Sequence, residues 1–527
     1  MPTVAPPRSE SATHDVTNQP GPPPARDPWA DDPVLRGWMR QFGGADADAA
    51  ALGAALARDD LAAGAKAARH HPPELHAFDR AGRRIDSVAF HPGYHALMAA
   101  AQGAGYAALA SEGVPGGHLG HAAIVYMLSQ VEPGVCCPLT MTYAAVPALA
   151  ADPALEAIWR PRLTARSYDP APRPITEKAS ATLGMAMTEK QGGSDLRTNS
   201  TRAEAAGDGY RLNGHKWFCS APMSDGFLTL AQAPAGLTCF LVPRWLPEGA
   251  NAIHLMRLKD KLGNRANASA EIEYHGAVAH RLGDEGQGVR TIIEMVHHTR
   301  LDTAIAPAGL MRAALTEALW WVQHRTAFQR RLIDQPLMRA VLADLALDWE
   351  AALALGLRVA QAFGDPGPEG RAFARIAVAL AKFIGNKRCP WVLAEAMEVL
   401  GGSGYVEEAP LAMLYREAPL NGIWEGSGNV ICLDILRTLA REPLAAAALA
   451  AELDAARGAD ARYDAALAEH RTRWPGLPPE AEARWFAERL AALLAASVLI
   501  RHAPAAVADG YVATRIAGAR GQVAGAV

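Results

Sequence analysis

Between residues 181 and 282 the chain changes texture, and that change limits what it can fold into. The segments GYRLNGHKWFCSA, GFLTLAQA, LTCFLVPR and SAEIEYHGAV are short, carry β-branched and aromatic residues, and are bounded by Gly, Pro, Asn or Asp, the marks of strands separated by turns. On both sides the pattern is helical. Before the block, HPGYHALMAAAQGAGYAALA and GHAAIVYMLSQVE repeat apolar residues at three- and four-residue spacing. After GDEGQG (283–288), apolar faces return at Leu310, Ala314, Ala318 and Trp321, then at Leu337, Val341 and Leu345. The expected fold is α+β: an N-terminal α-helical domain over 31–180, a β-domain over 181–282, a C-terminal helical bundle over 283–440, and a helical extension over 441–527 broken at RWPGLPPE and RHAPAAVADG. Residues 1–30, rich in Pro, Ser and Thr, have too few large apolar groups to offset the entropy of ordering and are expected as a disordered arm.

At 527 residues, half of them hydrophobic, the chain is long enough for several packed units. A net charge of −4 gives no general attraction to nucleic acid or anionic membrane, so any such binding needs a local patch. The six cysteines are scattered without a C-x-x-C pair or companion histidines, which argues against both a zinc site and a disulfide framework; no metal is expected. The N-terminus lacks the apolar core of a secretory signal, and no stretch offers roughly 20 uncharged apolar residues, so a cytoplasmic protein is expected.

Two segments at the start of the β-block could carry chemistry. MAMTEKQGGSD (185–195) combines two glycines, which let the backbone approach a ring or phosphate, with the hydroxyls of Thr188 and Ser194. On composition alone a surface turn explains it equally well. GHKWFCS (214–220) puts Trp217 and Phe218 in a strand, where they could wall a planar cofactor or simply fill core.

Further along come KLGNRANAS, Arg300 in HHTRLD, RTAFQRRLIDQPLM, EVLGGSGYVEE and IWEGSGNV. In this order the set resembles the acyl-CoA dehydrogenase family over roughly residues 85–440. MTEKQGGSD is similar to that family's T-E-P-x-x-G-S-D flavin loop, RTAFQRR to its R-x-x-F-G helix, and IWEGSGN to its I-Y-E-G-T-x-Q. The resemblance implies FAD as cofactor and Glu425 as the base that removes the α-proton of an acyl thioester while the β-hydride passes to flavin. It also implies that Met185, Met187, Thr188, Gly193 and Ser194, with Trp217, Phe218 and Ser220, surround the flavin. Arg325 and Phe328 would reach the FAD of a neighbouring subunit, and Trp424, Gly426, Ser427, Gly428 and Asn429 would flank the base and continue along the adenine half. Two positions depart from the pattern: Gln329 replaces the Gly after Phe328, and Asn429 replaces Gln. Some branches carry the base just before the arginine matching Arg300; here that neighbour is Thr299, which leaves Glu425 as the one candidate the resemblance supplies.

HPPELHAFDRAGRRIDSVAFHPGYHALM (71–98), CCPLTMTYAAVPAL (136–149) and the extension beyond 440 are closely similar to one branch of the family, bacterial adaptive-response flavoproteins linked to DNA alkylation damage. That resemblance implies a homotetramer that binds double-stranded DNA without sequence preference, protects against or detoxifies alkylating agents, and has weak acyl-CoA dehydrogenase activity. The alternative is a metabolic acyl-CoA dehydrogenase without a DNA role. Arg437, Arg515 and Arg520 are the expected phosphate contacts, on a basic surface of the extension and the helix leading into it; paired Arg and Glu on solvated helix faces would explain the same residues.

Overall fold

Beyond the arm the chain turns helical at Asp32. A computed structural model describes residues 8–525. The Asp32 carboxylate accepts from the main-chain N–H groups of Val34 and Leu35 and starts α1 (Pro33–Phe42), with proline where the helix needs no donor. α2 (Ala47–Leu56) and α3 (Asp59–His70) follow. Next comes a β-hairpin, β1 (Glu74–Phe78) with β2 (Arg84–Ala89), in a region expected to be wholly helical. The correction has a local cause: Asp79 Oδ1 accepts from the N–H groups of Ala81 and Arg83, and Gly82 takes a φ of 80°, which closes a turn no helix continues through. α4 (Pro92–Gly103), α5 (Gly117–Val131), α6 (Cys136–Leu149) and α7 (Pro153–Leu163) complete the first unit. α5 and α6 are buried nearly all round, as their apolar sequences require.

The middle unit contains β3 (Leu183–Ala186), β4 (Arg202–Ala206), β5 (Gly209–Ser220), β6 (Gly226–Ala233), β7 (Gly236–Pro243), the short pair β8 (Trp245–Leu246) and β9 (Gly249–Ala250), β10 (Ile253–Leu258) and β11 (Ser269–Leu282). The long strands β5 and β11 pair antiparallel, from Ser220 opposite Ser269 to Tyr210 opposite Ala279. β7 pairs with both β6 and β11, so the sheet curls back on itself around its own core, which includes Leu212, Phe227, Phe240 and Ile272.

The second helical unit is built on α8 (Gly288–His324), followed by the hairpin β12 (Thr326–Ala327) and β13 (Arg330–Arg331), then α9 (Pro336–Phe363), α10 (Pro368–Val399), α11 (Leu411–Glu417) and α12 (Gly428–Arg441). α8 packs against α5 and α6 on one side and α9 and α10 on the other, so one apolar core runs through both helical units. The extension, α13 (Pro443–Asp454), α14 (Ala461–Arg473), α15 (Ala483–His502) and α16 (Ala505–Tyr511), lies on α9, α10 and α12. Among the described residues, no helix is long and apolar enough to cross a membrane.

The arm departs from expectation. Residues 1–7 lie outside the described residues, but further on Asn18 pairs with Thr326, accepting from its main-chain N–H and donating to its carbonyl, both at 2.7 Å. Trp320 Nε1 donates to the Gly21 carbonyl. An apolar-burial argument overlooks such docking because it is made through main-chain polar groups.

Candidate active site

A cavity of about 950 Å³ opens where the sheet, α8 and the segment before α12 meet. β3 delivers Met185, and the loop beyond it delivers Met187, Thr188, Gly193 and Ser194 to the wall. The loop is held from below by a fully buried ion pair: Lys216 Nζ lies 2.8 Å from Glu189 Oε1, while Glu189 Oε2 accepts from the N–H and hydroxyl of Ser200. These partners hold the Glu189 carboxyl down at about 2 against the cost of burial, and burial brings Lys216 down to about 8. Gly193 is required here, since a Cβ would come within 2.5 Å of Thr188 Oγ1.

β5 contributes Phe218 and Ser220 to the wall, and Ser220 Oγ is 3.1 Å from Ser269 Oγ. Trp217 is not part of it. Its N–H donates to the Thr188 carbonyl, and its ring is covered by the Lys259 ammonium, 3.1 Å from the ring centroid. Lys261, from KLGNRANAS, lies in the wall instead, donating to the Asn267 carbonyl and Ser269 Oγ, with burial lowering it to about 8.

The opposite wall holds Trp424, Glu425, Gly426 and Ser427. Glu425 has a φ of 57°, a left-handed conformation that is costly for a residue with a side chain. The surrounding contacts impose it. Arg300 Nε donates to the Glu425 carbonyl at 3.2 Å while its Nη1 pairs with Asp434 at 2.6 Å. The buried Lys382 ammonium donates to the carbonyls of Asn421 and Gly426, both at 2.9 Å, and Trp424 Nε1 donates to Asn421 Oδ1. Glu425 Oε2 is buried without a hydrogen-bond partner. Burial pushes this carboxyl above its ordinary range, with the Thr299 hydroxyl, Lys382 and Arg300 pulling it part of the way back. Lys382 itself is lowered to about 7, mainly by burial. A lone lysine in the apolar run AVALAKFIG was a readable signal that sequence reasoning passed over.

The remaining expected residues lie elsewhere. Asn429 Oδ1 accepts from Arg484, and neither it nor Gly428 lines the cavity. Arg325 and Phe328 sit at the far end of α8: the Arg325 guanidinium donates to the Asn18 carbonyl and Gln19 Oε1, while Phe328 is 93% exposed at the tip of the β12–β13 hairpin. Phe328 and Gln329 both have positive φ, 51° and 65°, as a two-residue turn of this hand requires, and here without glycine. Arg437 is at the cavity rim, its side chain 63% exposed and 3.9 Å from Asp434.

Arg515 and Arg520 overturn the expected basic surface. Arg515 pairs with Asp344 and with Asp348, the latter at 3.0 Å, and Arg520 lies 3.5 Å from Asp344; both side chains are largely buried. Arg501 pairs with Glu452. The stretch looked basic only because its carboxylate partners lie far back in the sequence.

Comparison with known proteins matches these units. Three family models fit the chain: the adaptive response protein AidB N-terminal domain over residues 18–170, the acyl-CoA dehydrogenase middle domain over 184–277, and the acyl-CoA dehydrogenase C-terminal domain over 286–440. AidB of Escherichia coli (strain K12) is 44% identical over 463 residues, 86% of each chain. Acyl-CoA dehydrogenase family member 11 of Caenorhabditis elegans is 32% identical over 447 residues, 79% of this chain and 71% of the relative. The solved structure of C. elegans ACDH-11 in complex with C11-CoA superposes with a TM-score of 0.84 at 26% identity, covering 97% of this chain and 94% of that one. With the family's middle and C-terminal domains meeting at the cavity that holds Glu425, and the AidB N-terminal domain packed on both, the chain belongs to the acyl-CoA dehydrogenase family, in the branch that carries that N-terminal domain.

Proposed function

We propose that the chain is a FAD-dependent oxidoreductase of acyl-CoA dehydrogenase type that acts beside DNA in the response to alkylating agents, as a cytoplasmic homotetramer. The observation that carries the catalytic part is the Glu425 carboxyl: buried, raised by burial, with one oxygen unpartnered in a cavity walled by the flavin-loop residues. A carboxylate so placed is a better base than one in water, because desolvation raises its proton affinity. When bound, FAD supplies the hydride acceptor, and the residues of this loop and of β5 are the ones that would hold it. Glu425 accepts the α-proton of an acyl thioester; Arg300 and Lys382 fix the main chain that aims it, and Lys382 keeps cationic charge beside the carboxylate form. The relative crystallised with C11-CoA supports a thioester in this cavity.

Anaerobic bleaching of the flavin by a panel of acyl-CoA thioesters tests this reading. Wild type is expected to bleach, and Glu425→Gln to retain FAD while losing on the order of 10²–10⁴-fold in rate. Equal bleaching by the variant places the base elsewhere.

The DNA part rests on similarity to AidB and on Arg437, the one of the three expected arginines that projects into solvent. Arg437→Ala should weaken duplex binding and flatten its salt dependence. Duplex affinity that is absent at low salt in the wild type favours a metabolic acyl-CoA dehydrogenase instead.

A further inference from the structure

Beside the apolar Ala306, the part of the cavity between α5, α6 and α8 has Thr140 and Asp302 in its wall. Asp302 is 3% exposed and anchors a small polar cluster. Its Oδ1 lies 2.6 Å from His121 Nε2, and its Oδ2 accepts from Tyr106 Oη at 2.8 Å and Thr140 Oγ1 at 2.5 Å. His121 Nδ1 lies 2.7 Å from the Tyr106 main-chain carbonyl, which can only accept, so Nδ1 carries a proton. Nε2 then shares one proton with Asp302, and the pair is neutral overall wherever that proton sits.

The hydroxyl and imidazole protons of this cluster are therefore directed inward. Thr140 Oγ1 also lies 2.9 Å from Tyr106 Oη, and with its proton on Asp302 what it has left to present to the cavity is a lone pair, beside those of Asp302. Against a plain hydrocarbon chain those acceptors are desolvated without return. Against a donor they gain a hydrogen bond, and because the His121–Asp302 pair is neutral, a neutral donor suits it better than an ammonium group, which would bring an uncompensated charge.

We propose that this wall is a subsite for a hydroxyl group on the acyl chain, so that the preferred thioester is a hydroxyacyl one rather than a plain saturated one. This rests on reading the cavity as an acyl-thioester site. Thr140, the half-buried member of the cluster, takes the hydroxyl by accepting from it, and the neighbouring chain packs on Ala306.

The test is equilibrium binding to the FAD-loaded protein, read by calorimetry and by perturbation of the flavin spectrum. The probes are CoA thioesters of graded chain length, each as the plain acyl, the hydroxyacyl with the hydroxyl moved stepwise beyond the β-carbon, and the matching aminoacyl compound. At one position the hydroxyacyl thioester should bind about tenfold more tightly than its parent. Thr140→Val, which keeps the shape and removes the acceptor, should bring that ratio close to one, with an unchanged flavin spectrum showing that the variant is folded. Parity of hydroxylated and plain chains at every length overturns the proposal, as does a preference that survives in Thr140→Val and Asp302→Asn alike. A preference for the aminoacyl thioester overturns the neutral pairing on which the hydroxyl assignment depends. Binding of no thioester at all defeats the acyl-thioester reading itself, and the subsite with it.

Discussion

Lys382 Nζ lies 2.9 Å from the carbonyl oxygen of Gly426, the residue that follows the candidate base, and the same ammonium reaches the Asn421 carbonyl at the start of the base's loop. A single buried cation thus ties both ends of a short segment that is strained at Glu425. Its charge also opposes the burial that raises the Glu425 carboxyl.

Lys382→Met is expected to lower the rate and move the acid limb of its pH profile upward. Glu425 acts when ionised, so the rate rises with pH through its titration; removing the cation leaves burial less opposed and raises that titration further. The effect should be largest below about pH 7, where Lys382 is protonated. The pH dependence of kcat/KM measures it, and a limb that stays in place rules out the electrostatic role.

Glu417 gives a prediction about stability. Burial and the neighbouring Glu132 raise its carboxyl to about 7, while its Oε1 accepts from the Asn264 N–H at 2.5 Å. Between its ordinary range and pH 7 the unfolded chain releases this proton and the folded chain keeps it, so stability falls as pH rises through that window. Glu417→Gln retains the acceptor and abolishes the titration. It should be close to neutral at pH 4 and stabilising by roughly 2–3 kcal/mol at pH 8, as urea unfolding at the two pH values would show. A gain independent of pH would point to a different cause.

The Lys216–Glu189 pair lies beneath the flavin loop with neither side chain exposed. Glu189→Gln removes the partner and leaves a buried ammonium, which should cost about 3–5 kcal/mol and speed release of FAD. The double variant Glu189→Gln with Lys216→Met should recover part of that stability. No recovery would mean that Glu189 matters for the bonds it accepts from Ser200 and from the Thr201 main-chain N–H, the latter at 3.1 Å, rather than for charge.

Phe328 should matter to assembly rather than to the single chain. A ring 93% exposed on a hairpin tip contributes little to its own fold, so Phe328→Ala should leave the unfolding of a single subunit within about 0.5 kcal/mol of wild type while weakening the proposed tetramer and FAD retention. Sedimentation and flavin content read both. By contrast Gln329→Gly, at a φ of 65°, should raise the melting temperature, since glycine relieves the left-handed strain.

The block order of helix, sheet and helix was legible because each unit keeps one hydrophobic period over many residues, and long helices such as α8 repeat it most often. The β1–β2 hairpin was not legible, since strands of five and six residues give too few alternations to stand out beside helices. Within the site, Met185, Thr188, Gly193 and Glu425 could be placed because they belong to contiguous motifs. Lys382, Lys216 and Asp302 could not, because their meaning lies in partners tens to hundreds of residues away. The same distance misled the reading of Arg515, whose stretch holds Asp509 as its only nearby carboxylate, while Asp344 and Asp348 lie some 170 positions earlier.

That separation bears on how the protein is made. Translation runs from α9 toward α16, so the ribosome completes Asp344 and Asp348 long before Arg515, Arg520 and the Gly525 N–H, which reach them in the finished structure. Arg388 on α10 meets Asp348 sooner, but the Asp344 contacts from Arg515, Arg520 and Gly525 wait for the end of the extension. The helical half of the nascent chain therefore has a closing step that waits for residues 515–525, and a protein shortened before residue 515 would emerge with that step missing.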